Sequence, residues 1–270
     1  MPEGPEVKRI SVQLNNIISG KTISNIEILS GRYLTHSPPS GLKNFLLTEN
    51  KISSVTCKGK FIWINFLNNS EYSIWNTLGM TGSWSREVEE HARVKFSFTD
   101  ESSIYFTDIR NFGTLHFSFS KDDLDKKLKS LGPDMLSAPP TREEFFKIVK
   151  RQKNKTLPEF VMNQKMISGV GNYVKAEALY LAGISPTRTC SSLSEKEIIA
   201  LQDSIDKVLS ASYNSGGSTI KTYRDVYGNV GTFKSRFLVY GNAADPQGNK
   251  VERLETKDGR TTFWVPAIQK

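Results

Sequence analysis

The sequence predicts an α+β protein of two domains, an N-terminal helix with a β-sandwich followed by a helical half that closes on a β-hairpin. Three observations carry that expectation. After residue 20 the apolar spacing changes from helical to alternating. A charged and then proline-rich stretch interrupts the middle of the chain. Helix-start signatures crowd the second half, which ends on an Asp-Gly turn between two strand-like runs. With 270 residues in all, each half is long enough to bury a core.

Residues 5–19 read as an amphipathic helix, with Val7, Ile10, Leu14, Ile17 and Ile18 at helical spacing and Gly20 as its stop. Ile23, Ile26 and Ile28 open the β region. Residues 61–66 and 72–75 are apolar runs of strand length. Val94, Phe96 and Phe98, then Ile104 and Phe106, then Leu115, Phe117 and Phe119 alternate with polar neighbours. Short strands repeated in this way suggest a sandwich. Lys121 to Lys129 is charged, and Gly132-Pro133-Asp134 and Ala138-Pro139-Pro140 have linker composition. The expected domains are therefore 1–131 and 141–270, joined by a linker over 132–140.

The second half carries three capping-box patterns, Thr141 to Glu144, Thr156 to Glu159 and Ser194 to Glu197. The last leads Ile198, Leu201, Ile205, Val208 and Leu209 at helical spacing. Between the second and third lies Asn163 to Tyr173, read as a tight two-turn segment between helices, with Gly183 ending the second of them. Gly169 and Gly171 allow a ligand close to the backbone, the following helix start offers free N–H groups, and Asn172 adds an amide donor. Such a constellation suits a phosphate; an ordinary helical corner is the plainer reading. Residues 212–233 hold four glycines and three tyrosines, with only a short helix expected near Ser218–Tyr223. Residues 237–240 read as a strand, and Lys257-Asp258-Gly259-Arg260 as a hairpin turn that puts Arg260 at or near the tip.

Charge points to a polyanion. The net charge of +8 is uneven, with 16 basic and 15 acidic residues over 1–135 against 20 and 13 over 136–270. A basic half fits nucleic acid, and also fits a merely solvated surface. No apolar run approaches a membrane span of about 20 residues, and no signal-peptide pattern is present. Cys57 and Cys190 are the only cysteines and there are three histidines, so no pairs stand at zinc-ligand spacing.

Met1-Pro2-Glu3-Gly4-Pro5-Glu6-Val7 stands apart chemically. A methionine before a small residue is normally removed, which would leave Pro2 as a terminal secondary amine. Such an amine titrates near pH ~7.7–8 and lower when buried. Unprotonated, it attacks an aldehyde carbon, and a neighbouring carboxylate is its natural proton shuttle. Pro5 and Glu6 also suit an ordinary first helical turn. The string resembles the start of the Fpg/Nei family of DNA glycosylases, and Gly4-Pro5-Glu6 is more similar to its endonuclease VIII-like branch. Residues 163–173 resemble that family's helix–two-turns–helix motif. The C-terminal strings Gly259-Arg260-Thr261-Thr262 and Pro266-Ala267-Ile268-Gln269 resemble members with a "zincless finger", in keeping with the absence of cysteine after Cys190.

The resemblance spans nearly the whole chain and implies specific roles. Pro2 would be the nucleophile, Glu3 the proton shuttle and Glu6 a support. Lys60, in Lys58-Gly59-Lys60, would be a catalytic lysine on phosphate, with Asn172, Arg260, Gly169 and Gly171 binding further phosphate. Met80, Arg110 and Phe112 would fill the gap left by a base taken out of the stack. Thr77 departs from a histidine that several members carry. The glycine-rich region 214–231 is more Fpg-like and leaves 8-oxoguanine open.

The implied activity is glycosylase and abasic-site lyase on oxidised pyrimidines, hydantoins and formamidopyrimidines, without metal or organic cofactor. Double-stranded DNA with oxidised bases or abasic sites is the implied partner, with single-stranded or bubble DNA as further candidates, bound by a monomer. The expected place is intracellular: the nucleus in a eukaryote, otherwise the cytoplasm or a virus factory. A non-catalytic damaged-DNA-binding protein on the same scaffold is the alternative, and a basic RNA-binding protein a third, resting on charge alone.

Overall fold

Helix α1, Gly4–Ile18, follows from its apolar stripe: Val7, Ile10, Leu14 and Ile18 are all at most 1% exposed. Burying each is worth about 1.5–3 kcal/mol. Asn15 fixes the helix laterally, its Oδ1 accepting from the Val55 N–H at 2.9 Å. The computed structural model describes residues 1–218 and 223–270. Backbone contacts divide these into two units. The first holds Met1–Pro2, Glu6–Ser130 and Gly216–Gly231; the second holds Glu3–Pro5, Leu131–Ser215 and Thr232–Lys270.

In the first unit, strands β1 (Thr22–Ile28), β2 (Asn50–Lys58), β3 (Phe61–Phe66), β4 (Ser73–Thr77), β5 (Gly82–Ser85), β6 (Ala92–Phe98), β7 (Ser103–Asp108) and β8 (Thr114–Ser118) form the sandwich. Among the described residues their order is β5-β7-β6-β1-β2-β3-β4-β8, all antiparallel. β1 and β2 share only Thr22↔Lys51 and Ile23↔Asn50, so the sheet folds at that seam into two layers. Trp84, Phe96, Phe106, Phe45 and Phe117 fill the space between alternating aliphatics. Two short helices, α2 (Arg32–Thr35) and α3 (Leu42–Phe45), lie between β1 and β2. Two expectations change here. Lys121–Lys129 is helix α4, because Ser120 caps it and its acids and lysines sit at the dipole-favoured ends. β2 and β5 were not expected.

In the second unit, all three capping boxes form. They start α5 (Arg142–Arg151), α6 (Leu157–Met162) and α8 (Glu195–Asn214). α7 (Asn172–Leu181) is buried nearly all round and packs on α6 and α8. Residues 132–140 are not a free tether: Pro133 and Ser168 carbonyls accept from Ser168 and Met135 amides at 2.8 and 3.1 Å, pinning the segment to the two-turn region. The hairpin is β9 (Glu252–Thr256) with β10 (Arg260–Trp264), turning through Gly259 at φ 73°. Residues 237–240 are not a strand. The Leu238, Val239 and Tyr240 amides all donate to the buried Glu177 carboxylate, at 2.7–2.9 Å, which curls the run around one anion instead of along a neighbour. The short helix expected near Ser218–Tyr223 falls largely on 219–222, outside the described residues.

Candidate active site

Pro2 is buried, and Glu3 beside it in sequence is 2% exposed. Glu3 reaches the start of α7, where Oε1 accepts from the Tyr173 amide at 3.0 Å and Oε2 from the Val174 amide at 3.3 Å. Two orphan amides and the positive end of the helix hold this carboxylate. A Cβ at Gly171 would lie 2.1 Å from Glu3 Cδ and 2.4 Å from each carboxylate oxygen, so only glycine leaves it room. The Glu3 carboxylate thus lies against Gly171 at the start of α7. Gly169 lies beside the start of α1, its carbonyl accepting from the Gly4 amide at 2.8 Å.

Glu6 serves the first unit. It is 1% exposed, and its Oε1 accepts from the Ser218 amide at 2.7 Å. Burial and the nearby Glu6 and Asp225 charges push the Tyr223 hydroxyl well above its ordinary value. Lys60 sits in the β2–β3 turn. Lys58 pairs with Phe61, so Gly59 and Lys60 are the turn residues, with Gly59 at φ 57°.

Met80, Arg110 and Phe112 come together on two neighbouring loops. Arg110 Nη1 lies 3.1 Å from Met80 Sδ, and the guanidinium sits 4.7 Å from the centroid of the Phe112 ring, which is 53% exposed. Asp108, missed by the sequence reading, organises both loops. Its carboxylate accepts from the Gly113 amide at 2.6 Å, the Arg110 amide at 3.3 Å and the Thr81 hydroxyl. Thr77 pairs across strands, its Oγ1 2.7 Å from that of Thr114.

In the second unit Asn172 donates from Nδ2 to the Thr261 carbonyl at 3.1 Å, linking the start of α7 to β10 next to Arg260. Arg260 pairs with Thr256 at the first rung of the hairpin. Beneath the turn lies a fully buried lysine: Lys175 Nζ donates to Asp258 Oδ2 at 2.7 Å, with the side chains 0% and 5% exposed. Burial pushes the Lys175 ammonium below its ordinary value, and Asp258 offsets part of that. Lys175, Glu177 and Asp258 were all missed. Lys175 and Glu177 stand out as charges in a mostly apolar helix, but the partners that give all three their roles come only from the folded chain. Among the described residues no group of three or more His, Cys, Asp or Glu is placed to hold a metal ion, and no helix is long and apolar enough to cross a membrane.

The chain matches three family descriptions in succession. These are the formamidopyrimidine-DNA glycosylase N-terminal domain over residues 1–115, the H2TH domain over 131–224 and the C-terminal domain over 231–270. It is 32% identical over 280 residues to a formamidopyrimidine-DNA glycosylase of Oceanobacillus iheyensis, covering 100% of this chain and 98% of that one. Among solved structures it resembles the Fpg (MutM) protein of Thermus thermophilus, with a TM-score of 0.87, 30% identity and 99% and 98% of the two chains covered. It also resembles a Lactococcus lactis Fpg mutant solved with DNA containing Fapy-dG, with a TM-score of 0.86, 25% identity and full coverage of both chains. These relatives are bacterial and named for Fpg, so they lend no support to a nuclear or virus-factory location, and they speak for the family rather than for its endonuclease VIII-like branch. From its first strand to its C-terminal hairpin the chain belongs to the formamidopyrimidine-DNA glycosylase family, and is a DNA glycosylase of base excision repair.

Proposed function

We propose that the protein removes formamidopyrimidines, oxidised pyrimidines and hydantoins from double-stranded DNA and then cuts the strand at the resulting abasic site. The observation that carries this is the Glu3 carboxylate, next to Pro2 in sequence and locked on two amides of α7. Once Met1 is removed, the Pro2 nitrogen attacks C1′ of the extruded nucleotide. The C1′–base bond breaks and the base leaves with the proton released by the attacking nitrogen; the C1′–O4′ bond then breaks, O4′ taking a proton, and an iminium joins Pro2 to the opened sugar. Glu3 moves the proton at the opening ring. Loss of a C2′ proton expels the 3′ phosphate, and a second elimination expels the 5′ phosphate. Lys60, Asn172 and Arg260 hold phosphates, which fits the +8 charge. Met80, Arg110 and Phe112 form the wedge that occupies the vacated stack. The Gly4-Pro5-Glu6 start supports oxidised pyrimidines as substrates beside the formamidopyrimidines for which the relatives are named.

We also read the hairpin as a finger that needs no zinc. Three anchors support this: the Lys175–Asp258 pair, the Glu177 nest, and a cluster of Val239, Val251, Val265, Ala176 and Tyr180. EDTA treatment is expected to leave strand cleavage unchanged; inhibition that added zinc reverses would overturn this reading.

The test is borohydride trapping on abasic and formamidopyrimidine duplexes, using protein with Pro2 at its N-terminus. A covalent adduct is expected, and its loss in Pro2→Ala and in protein retaining Met1. Absence of any adduct, with the free Pro2 verified by mass spectrometry, would leave the non-catalytic DNA-binding alternative.

A further inference from the structure

Two loops of the first unit carry the three residues assigned to the wedge. Met80 lies between β4 and β5, and Arg110 and Phe112 lie between β7 and β8. β4 pairs with β8, Thr77 opposite Thr114, and β5 pairs with β7, Gly82 opposite Asp108. Each loop therefore crosses from one layer of the sandwich to the other, and the two cross side by side. Surface loops of this kind are ordinarily the mobile parts of a fold. These two are bonded to each other.

Asp108, 1% exposed, is the node between them. Its Oδ1 accepts from the Thr81 hydroxyl of one loop and from the Arg110 amide of the other, and its Oδ2 accepts from the Gly113 amide. Thr81 Oγ1 accepts in turn from the same Arg110 amide at 2.9 Å. Gly79 closes the seam, since a Cβ there would stand 2.7 Å from both Gly113 N and Phe112 C. The roots are clamped as well. Arg93 donates from Nε to the Asp108 carbonyl at 2.8 Å and from Nη2 to the Ile109 carbonyl at 3.3 Å. Arg32 donates from Nη2 to the Gly113 carbonyl at 2.6 Å. Buried Asn76 donates to the Thr114 carbonyl at 2.9 Å and accepts from the Trp84 indole at 3.0 Å, so it joins the far ends of both loops. Above this buried polar base Phe112 stays open to solvent, with the Arg110 guanidinium against its ring. Core packing does not call for such an arrangement.

We propose that Thr81 and Asp108 are positioning residues that couple the β4–β5 and β7–β8 loops into one preformed wedge, so that Met80 enters the base stack together with Arg110 and Phe112 in a single step. Two independent loops would each lose conformational freedom at the moment of entry. A shared carboxylate moves that loss to folding, and entry into the duplex becomes faster. The inference rests on the assignment of Met80, Arg110 and Phe112 as the wedge.

The test needs no chemistry on the DNA. The probe is a duplex with a tetrahydrofuran residue in one strand and 2-aminopurine opposite it, whose fluorescence changes when the wedge displaces it from the stack. Thr81→Val removes the link between the loops and leaves all three wedge residues in place. In stopped flow it is expected to slow the fluorescence change about tenfold, the scale of one hydrogen bond to a charged group, and Thr81→Ser should restore most of the rate. Adding Thr81→Val to Asp108→Ala should cost little more than Asp108→Ala alone, because the two residues form one interaction. Affinity for the tetrahydrofuran strand by itself, which offers phosphates but no duplex to invade, should stay within about twofold in every variant. A general loss of fold would lower both readings equally, and that result would overturn the coupling. Phe112→Ala is the control and should abolish the fluorescence change. An unchanged rate in Thr81→Val with the signal lost in Phe112→Ala overturns the coupling alone. A signal that survives Phe112→Ala overturns the wedge assignment, and the coupling with it.

Discussion

Gly171→Ala is expected to cost about 3 kcal/mol or more of stability, because two hydrogen bonds to a buried charge are lost together. The added Cβ would stand 2.1 Å from Glu3 Cδ, inside any tolerated contact, and the obstacle is a buried carboxylate rather than a flexible tip. Either the carboxylate leaves the Tyr173 and Val174 amides or the start of α7 shifts. The melting temperature should fall by roughly 6–12 °C for a protein of this size class. The functional readout distinguishes the two roles this glycine has been given. If Gly171 makes room for Glu3, the variant should lose borohydride trapping while keeping most of its affinity for tetrahydrofuran-containing DNA. If it makes room for a phosphate, affinity and its salt dependence should fall first. An unchanged melting temperature would refute the close-contact argument itself.

What the sequence left hidden at this position was the occupant, not the geometry. Gly169, Gly171 and Asn172 mark a tight helix start that attracts an anion, and a phosphate and a carboxylate satisfy that description equally. Only the tertiary fold reveals that Glu3, far away in sequence, arrives there. The same limit explains the other misses. β3 and β4 were legible as apolar runs of strand length, and β6, β7 and β8 because apolar residues alternate with polar ones along them. β2 was not, since a register shift between Ile52 and Ser54 breaks its period. β5 offers only Trp84 as a core anchor, too little for a pattern. Residues 237–240 look like a strand by composition, yet the Glu177 carboxylate takes their amides. The capping boxes and the Asp-Gly turn were readable because their chemistry is local. Asp108 and Lys175 were not, because each acts through partners that only the folded chain supplies.

Lys175→Met is expected to be the most damaging single change in the hairpin. It leaves Asp258 buried without its ammonium, and breaking a buried pair from one side costs about 3–5 kcal/mol. Asp258 also lies within hydrogen-bond reach of the Thr256 hydroxyl, which sits 2.9 Å from both the Arg260 carbonyl and the Thr262 hydroxyl. Loss of the lysine therefore loosens the turn that precedes Arg260. Thermal unfolding should drop by roughly 10 °C. If Arg260 binds a phosphate, affinity for abasic duplex should also fall, and the salt slope should shrink by about one counterion. Lys175→Met with Asp258→Leu removes both charges at once, and should recover most of the melting temperature because an apolar pair replaces a desolvated one. A pH series gives an independent check. The folded state holds the Lys175 proton less tightly than the unfolded chain, whose lysine titrates near the ordinary 10.5. Between the lowered value and that ordinary one, wild-type stability gains from rising pH, and the gain should be missing in Lys175→Met. A variant that melts like the wild type at every pH would show that the pair carries no load, and that the apolar cluster of Val239, Val251 and Val265 alone holds the hairpin in place.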